Sequence, residues 1–159
     1  MQPANTHYAL IMAGGEGTRF APLSTPEKPK QFLALVHKTK TLLQQTYDRL
    51  AKIFPTENIL IATNQRYLPL VQEQLPQMKG SQIFGETQKK NTAPCLAWVS
   101  YQILQRKKEA LLLAIPADQL ITPEELFEKT IGQALDLAAI QNAIVTIGIK
   151  PTFASTHHG

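Results

Sequence analysis

The sequence predicts an α/β fold: a three-layer sandwich built around a mostly parallel sheet. Three observations carry this expectation. Short apolar runs alternate with amphipathic stretches from one end of the chain to the other. Those runs are nearly free of polar interruption, as strands covered on both faces must be. The first run also passes directly into a glycine-rich turn, and open α/β sheets collect their ligands at the carboxyl ends of strands.

In chain order, Tyr8–Met12 is the first strand, followed by the glycine-rich segment 13–33. A helix is expected near Thr41–Phe54, where Leu43, Tyr47, Leu50 and Phe54 recur at spacings of four, three and four. Asn58–Thr63 is a second strand, and Gln65–Leu75 a helix with Leu68, Val71 and Leu75 inward. Ser81–Gly85 is a short third strand. Asn91 or Thr92 then caps a helix running to about Gln105, with Pro94 tolerated in its first turn. Cys95 and Trp98 read as packing residues of that helix. Ala110–Ile115 is a fourth strand. Thr122-Pro123-Glu124-Glu125 reads as a capping box opening a last helix with Phe127, Ile131, Ala134 and Ala138 on its buried stripe. Ala143–Ile149 is a fifth strand. Crossovers should be right-handed. The first and fourth strands both end in polar motifs, which suits neighbours at a topological switch point.

Composition narrows the function classes. The chain has 159 residues, enough for one domain with a sizeable core, and 43% of them are hydrophobic. No apolar run reaches the eighteen residues that a membrane-spanning helix needs. Met1–His7 lacks the basic-then-apolar form of a secretory leader, and the single cysteine permits no internal disulfide. The expected location is therefore the cytoplasm. A net charge of +4, spread along the chain with one cluster at Arg106-Lys107-Lys108, is too mild to imply nucleic acid and suits an anionic small molecule. The three clustered cations close a helix, where they complement its dipole.

The most informative stretch is Ala13-Gly14-Gly15-Glu16-Gly17-Thr18-Arg19, continuing to Pro29-Lys30-Gln31-Phe32-Leu33. Gly14, Gly15 and Gly17 let the backbone turn sharply and aim several N–H groups at one anion. Arg19 adds a planar cation and Lys30 a mobile one, so charge can be met from several sides, as a polyphosphate requires. A nucleoside triphosphate is the expected ligand. Two familiar phosphate loops are excluded. A Walker A loop needs Gly-Lys-Ser/Thr where Gly17-Thr18-Arg19 stands, and a dinucleotide fingerprint needs glycine where Phe20 stands. Pro22 and Pro29 keep the segment extended. Asp118, in Ile115-Pro116-Ala117-Asp118-Gln119 at the end of the fourth strand, is placed either to bind a divalent cation or to cap a turn.

The loop string resembles the Gly-x-Gly-Thr-Arg-x-x-Pro-Leu and Pro-Lys signature of the sugar-1-phosphate nucleotidyltransferases. Its ending, Pro29-Lys30-Gln31-Phe32-Leu33, is similar to the mannose-1-phosphate guanylyltransferase branch. Glu86 with Asn91-Thr92-Ala93-Pro94 resembles a further motif of that branch, and Thr146-Ile147-Gly148-Ile149-Lys150-Pro151-Thr152 resembles the strand that approaches the sugar. The resemblance implies the nucleotide-diphospho-sugar transferase (Rossmann-like) fold, truncated, with residues 1–159 forming its N-terminal nucleotide-binding part. Family members continue into a hexose site and a second metal-binding aspartate, whereas this sequence reads Thr156-His157-His158-Gly159 at its end. The adjacent histidines read as a chain end rather than a metal site. Phe20-Ala21 stands where the branch often has Leu-Trp, Thr25 where it often has Arg, and Gln119 where His or a similar residue follows the aspartate.

The implied reaction converts GTP and mannose 1-phosphate into GDP-mannose and pyrophosphate. Arg19, Lys30 and Asp118 are the implied catalytic residues, with Asp118 holding Mg²⁺. Ala13, Gly14, Gly15, Gly17, Thr18 and Arg19 would bind the nucleotide phosphates, and Lys30 and Gly148 the sugar phosphate. Glu86, or backbone carbonyls beside it, would read the paired donor edge of guanine, and Asn91 and Thr92 would offer helix-start N–H groups. Read without the family, Glu86 is a solvated strand-end acid and Asn91 a plain cap. GTP and mannose 1-phosphate are the expected partners, with a homodimer as a candidate assembly and neither nucleic acid nor membrane involved. The rival readings are a uridylyl- or thymidylyltransferase of the same family and a non-catalytic nucleotide-binding fragment.

Overall fold

The computed structural model describes residues 6–15, 20–88, 91–150 and 153. Four strands form one sheet: β1 (His7–Met12), β2 (Ile59–Asn64), β3 (Ile83–Glu86) and β4 (Leu111–Pro116). Their order is β3-β2-β1-β4, and all three pairings are parallel. The register sets Met12 beside Ala62 on one side and beside Pro116 on the other. The first and fourth strands are thus neighbours, as their motif-bearing ends suggest.

Alternation along β1 explains the layers. Ala9 and Ile11 face one core, shared with Leu43, Tyr47 and Leu50 of α1 (Leu42–Ala51), Val71 of α2 (Leu68–Gln74), and Ile131 and Leu135 of α4 (Glu124–Gln141). Tyr8 and Leu10 face the other, shared with Leu60, Ala62 and the Cys95, Val99 and Ile103 stripe of α3 (Thr92–Leu104). Both faces of β1 are sealed, which requires the unbroken apolar run. The sheet with helices on both sides is the expected three-layer α/β sandwich. Trp98 is 40% exposed and packs edge-on against Phe84, with ring centroids 5.4 Å apart.

Local chemistry fixes the elements. Thr41 caps α1 by accepting from the Gln44 N–H, while the Gln44 side chain accepts from the Thr41 N–H, a reciprocal pair that the spacing of apolar residues does not reveal. The expected capping box at Thr122 does not form: Pro123 is the N-cap of α4 and makes no side-chain capping bond. The helix starts one residue late for Glu125 to lie three positions after the cap. Its first turn nevertheless carries Glu124 and Glu125, which suit the helix dipole. At the foot of the sheet, buried Gln82 donates from Nε2 to the Thr56 and Ile59 carbonyls at 2.7 and 2.9 Å.

The expected fifth strand at Ala143–Ile149 is not formed. Residues 143–150 carry no strand pairing, and Ile144 and Ile149 are 97% and 80% exposed. A strand exists only where its N–H and C=O groups meet a neighbouring ladder. Among the described residues none is offered to this stretch. Gly148 has open space where a Cβ would sit, so no close approach by a described residue accounts for it.

Two measurements test this packing. Arg49 of α1 is 3% exposed, burial lowers its pKa, and Glu124 of α4 lies 3.9 Å from its Nε while also pairing with Lys52. Glu124→Ala strands that guanidinium and should lower Tm by roughly 3–6 °C. Asp48→Ala, which breaks the exposed Lys40–Asp48 pair, should cost less than about 2 °C; equal losses would contradict the packing role. Secondly, burial, aided by the charge of Glu86 and a hydrogen bond to it, pushes the Cys95 thiol from its ordinary 9.0 up to about 11. A thiol raised on folding contributes stability that is intact below pH 9.0 and lost as pH rises through about 11. Cys95 should therefore resist thiol reagents at pH 8.5 until the chain is unfolded, as timed labelling would show.

Candidate active site at the carboxyl ends of the strands

The ladder of the sheet runs on past the strands and fixes the site's two main segments. Beyond β1, the Ala13 N–H donates to the Ala62 carbonyl at 2.7 Å. Beyond β4, the Ala117 N–H donates to the Met12 carbonyl at 3.0 Å, and the Ala117 carbonyl accepts from Thr46 Oγ1 of α1 at 3.2 Å. Ala13 and Ala117 are each 1% exposed. Gly14 and Asp118 therefore leave from anchored backbone at adjacent strand ends.

Asp118 forms an ion pair with Lys30, and both side chains remain partly accessible, at 28% and 23%. Lys30 begins a single 3₁₀ turn, Lys30–Phe32, whose third residue is fully buried against the Tyr67 ring. The Lys30 ammonium also lies 5.4 Å from the centre of the Phe20 ring, close enough for cation–π attraction. The cation is thus held from a rigid base between a carboxylate and an aromatic face.

Gln31, the middle residue of that turn, is 2% exposed and donates from Nε2 to the carbonyls of Ala13 and Gly15, both at 2.8 Å. Thr63 Oγ1 adds a second donor to the Ala13 carbonyl at 2.9 Å. Sequence reasoning assigned neither residue a role. The available signals were polar side chains set against apolar neighbours: Gln31 before Phe32-Leu33, and Thr63 ending an apolar strand.

Glu86 ends β3 in register with Asn64 of β2. Its carboxylate lies across Gly14, where a Cβ would stand 3.6 Å from Oε2, and on its other side it accepts from the Cys95 thiol. Asn91 occupies the N-cap position of α3 but makes no side-chain capping bond; its φ of 65° and ψ of −170° fall where non-glycine residues are strained. Thr92 is exposed as the first residue of α3. The structure therefore gathers Ala13, Gly14, Gly15, Lys30, Glu86 and Asp118 around one end of the sheet. Gly148 lies in the unpaired 143–150 stretch instead. Gly17, Thr18, Arg19, His157 and His158 lie outside the described residues.

Asp118 is a hard oxygen donor, and the described residues contain no group of three or more His, Cys, Asp and Glu side chains able to hold a metal ion. That donor set fits Mg²⁺ bound jointly with phosphate, which takes one or two carboxylates and completes its octahedron with phosphate oxygens and water. It does not fit a closed zinc site. Among the described residues no helix is long and apolar enough to cross a membrane.

Mannose-1-phosphate guanylyltransferase RfbM of Salmonella typhimurium is 40% identical over 94% of the chain, and Xanthan biosynthesis protein XanB of Xanthomonas campestris is 38% identical over the same share. The chain spans about a third (32%) of the length of both relatives. A crystal structure described as mannose-1-phosphate geranyltransferase from Thermus thermophilus superposes with a TM-score of 0.74 at 33% identity, covering 84% of this chain and 38% of that one. A structure of mannose-6-phosphate isomerase from Helicobacter pylori gives 0.62 at 30%, covering 82% and 46%. The family model for nucleotidyl transferases matches residues 8–159, and with its parallel sheet and glycine loop the chain belongs to that family.

Proposed function

We propose that this chain forms the nucleotide-binding part of a mannose-1-phosphate guanylyltransferase, which converts GTP and mannose 1-phosphate into GDP-mannose and pyrophosphate. The observation that carries the reading is the Lys30–Asp118 pair set beside the glycine loop at the ends of β1 and β4. A cation, a carboxylate and a row of backbone amides are what nucleotidyl transfer needs at one place. The names of the relatives favour mannose and guanine over the other sugars and bases of the family.

In this reading a sugar-phosphate oxygen attacks the α-phosphorus in line with departing pyrophosphate. The attacking phosphate is already anionic, so no general base is required. Catalysis then rests on orientation and on neutralising charge. The loop amides and Arg19 hold the departing phosphates, and Lys30 reaches the attacking or the α-phosphate. Asp118 would hold a Mg²⁺ ion, which would supply positive charge to the phosphates. Lys30 exchanges the Asp118 carboxylate for phosphate as substrate arrives. Glu86 accepts from the N1–H and exocyclic amine of guanine, an edge that uracil and thymine lack. Asn91 and Thr92 present the start of α3 to the nucleotide. The active form works in the cytoplasm.

The decisive assay follows pyrophosphate release from GTP, UTP and dTTP with mannose 1-phosphate, using the protein at the full length of its relatives. GTP should be preferred, and Asp118→Asn and Lys30→Ala should each lower turnover by roughly 100-fold or more while the fold is kept. Near-normal turnover in either variant would remove that residue from the mechanism. Glu86→Gln should reduce the preference for GTP over UTP by about tenfold, because an amide cannot accept both donors; an unchanged ratio would assign base reading elsewhere.

A further inference from the structure

Gln31 is, we propose, the positioning residue that turns the glycine loop into an anion cradle, a role that rests on the nucleotide-binding reading of that loop. A loop that binds phosphate must do two things: aim N–H groups at the anion and turn its own carbonyl oxygens away. The second requirement has a visible device here. The Ala13 and Gly15 carbonyls, on either side of Gly14, converge on the one Gln31 Nε2, each at 2.8 Å. In a trans peptide the N–H points opposite to the carbonyl. Drawing the Ala13 oxygen inward therefore turns the Gly14 N–H outward. Thr63 Oγ1 reinforces the same carbonyl from β2.

The clamp has a rigid base. Phe32, next in the chain, is fully buried against Tyr67, and its carbonyl accepts from Gln74 Nε2 at 3.1 Å. Lys30, on the other side of Gln31, pairs with Asp118. One three-residue turn thus sets both the loop's orientation and the place of its mobile cation. The chemistry selects glutamine: its amide nitrogen carries two hydrogens and meets two acceptors, whereas an ionised glutamate offers none and methionine, of similar size, offers none.

Gln82 supplies a matched control, since it makes the same double clamp on the Thr56 and Ile59 carbonyls at the far end of the sheet. In the whole chain, Gln31→Met should weaken Mg²⁺·GTP binding about tenfold or more by calorimetry and lower the NMR order parameters of the Gly14 and Gly15 amides. Gln82→Met should lower Tm comparably but leave GTP affinity unchanged. Gln31→Glu should regain affinity, relative to wild type at each pH, as acid protonates its carboxyl and restores one donor. If Gln31→Met does not fold, Thr63→Val should give a smaller loss of affinity with a lower Gly14 order parameter. Unchanged affinity and order parameters in the Gln31 variants, or an equal affinity loss in Gln82→Met, overturns the proposal. A wild-type chain that binds no GTP instead sinks the nucleotide reading, and the order parameters still report whether Gln31 orders the loop.

Discussion

The site depends on the placement of β1 between β2 and β4, with ladders that do not stop where the strands do. The Ala13 N–H continues the pairing with β2, and the Ala117 N–H continues the pairing with β1. Each bond contributes a net stabilisation of about 1 kcal/mol. Their larger effect is geometric, because they fix two adjacent chain exits in one frame. The apolar run of β1, sealed on both faces, suits only a central position in the sheet. Burial thus determines where the glycine loop and Asp118 emerge.

On that frame the proposed function uses the charges for exchange rather than for stability. Lys30 and Asp118 are each about a quarter exposed, a setting in which an ion pair adds little to folding. Their value lies in availability. A carboxylate that now faces an ammonium is free to face a cation, and the ammonium is free to face phosphate. Deeply buried partners could not trade in this way without leaving a charge stranded. The contrast with Arg49 is instructive, since that guanidinium is sealed between α1 and α4 and serves packing.

Much of the fold was legible because periodicity and strand composition report burial directly. The stripe Leu43, Tyr47, Leu50 and Phe54 is buried as its spacing implies, and the polar ends of β1 and β4 correctly marked neighbours. Errors arose where a local pattern needed a partner. Ile144, Ile147 and Ile149 have the composition of a strand, but no ladder among the described residues meets them. Thr122 has the chemistry of a cap, but the helix begins one residue beyond the register its glutamate needs. Within the candidate site, the sequence draws attention to charged residues and passes over neutral ones. Lys30, Asp118 and Glu86 stand out because the chemistry they could do is written in their side chains. Gln31 and Thr63 do not, because a buried amide or hydroxyl acquires meaning only from the carbonyls it meets, and those lie 18 and 50 residues away in sequence. Asn91 is intermediate: it stands at the N-cap position its residue type announced, but it makes no side-chain capping bond and holds φ at 65°.

The most direct test is a crystal of the chain soaked with GTP and Mn²⁺, using the anomalous signal of manganese to place the ion. The account predicts a manganese peak on an Asp118 oxygen, the triphosphate along the glycine loop, and the Lys30 ammonium moved from Asp118 to phosphate. A triphosphate bound elsewhere, or a Lys30–Asp118 pair undisturbed beside it, would contradict the account.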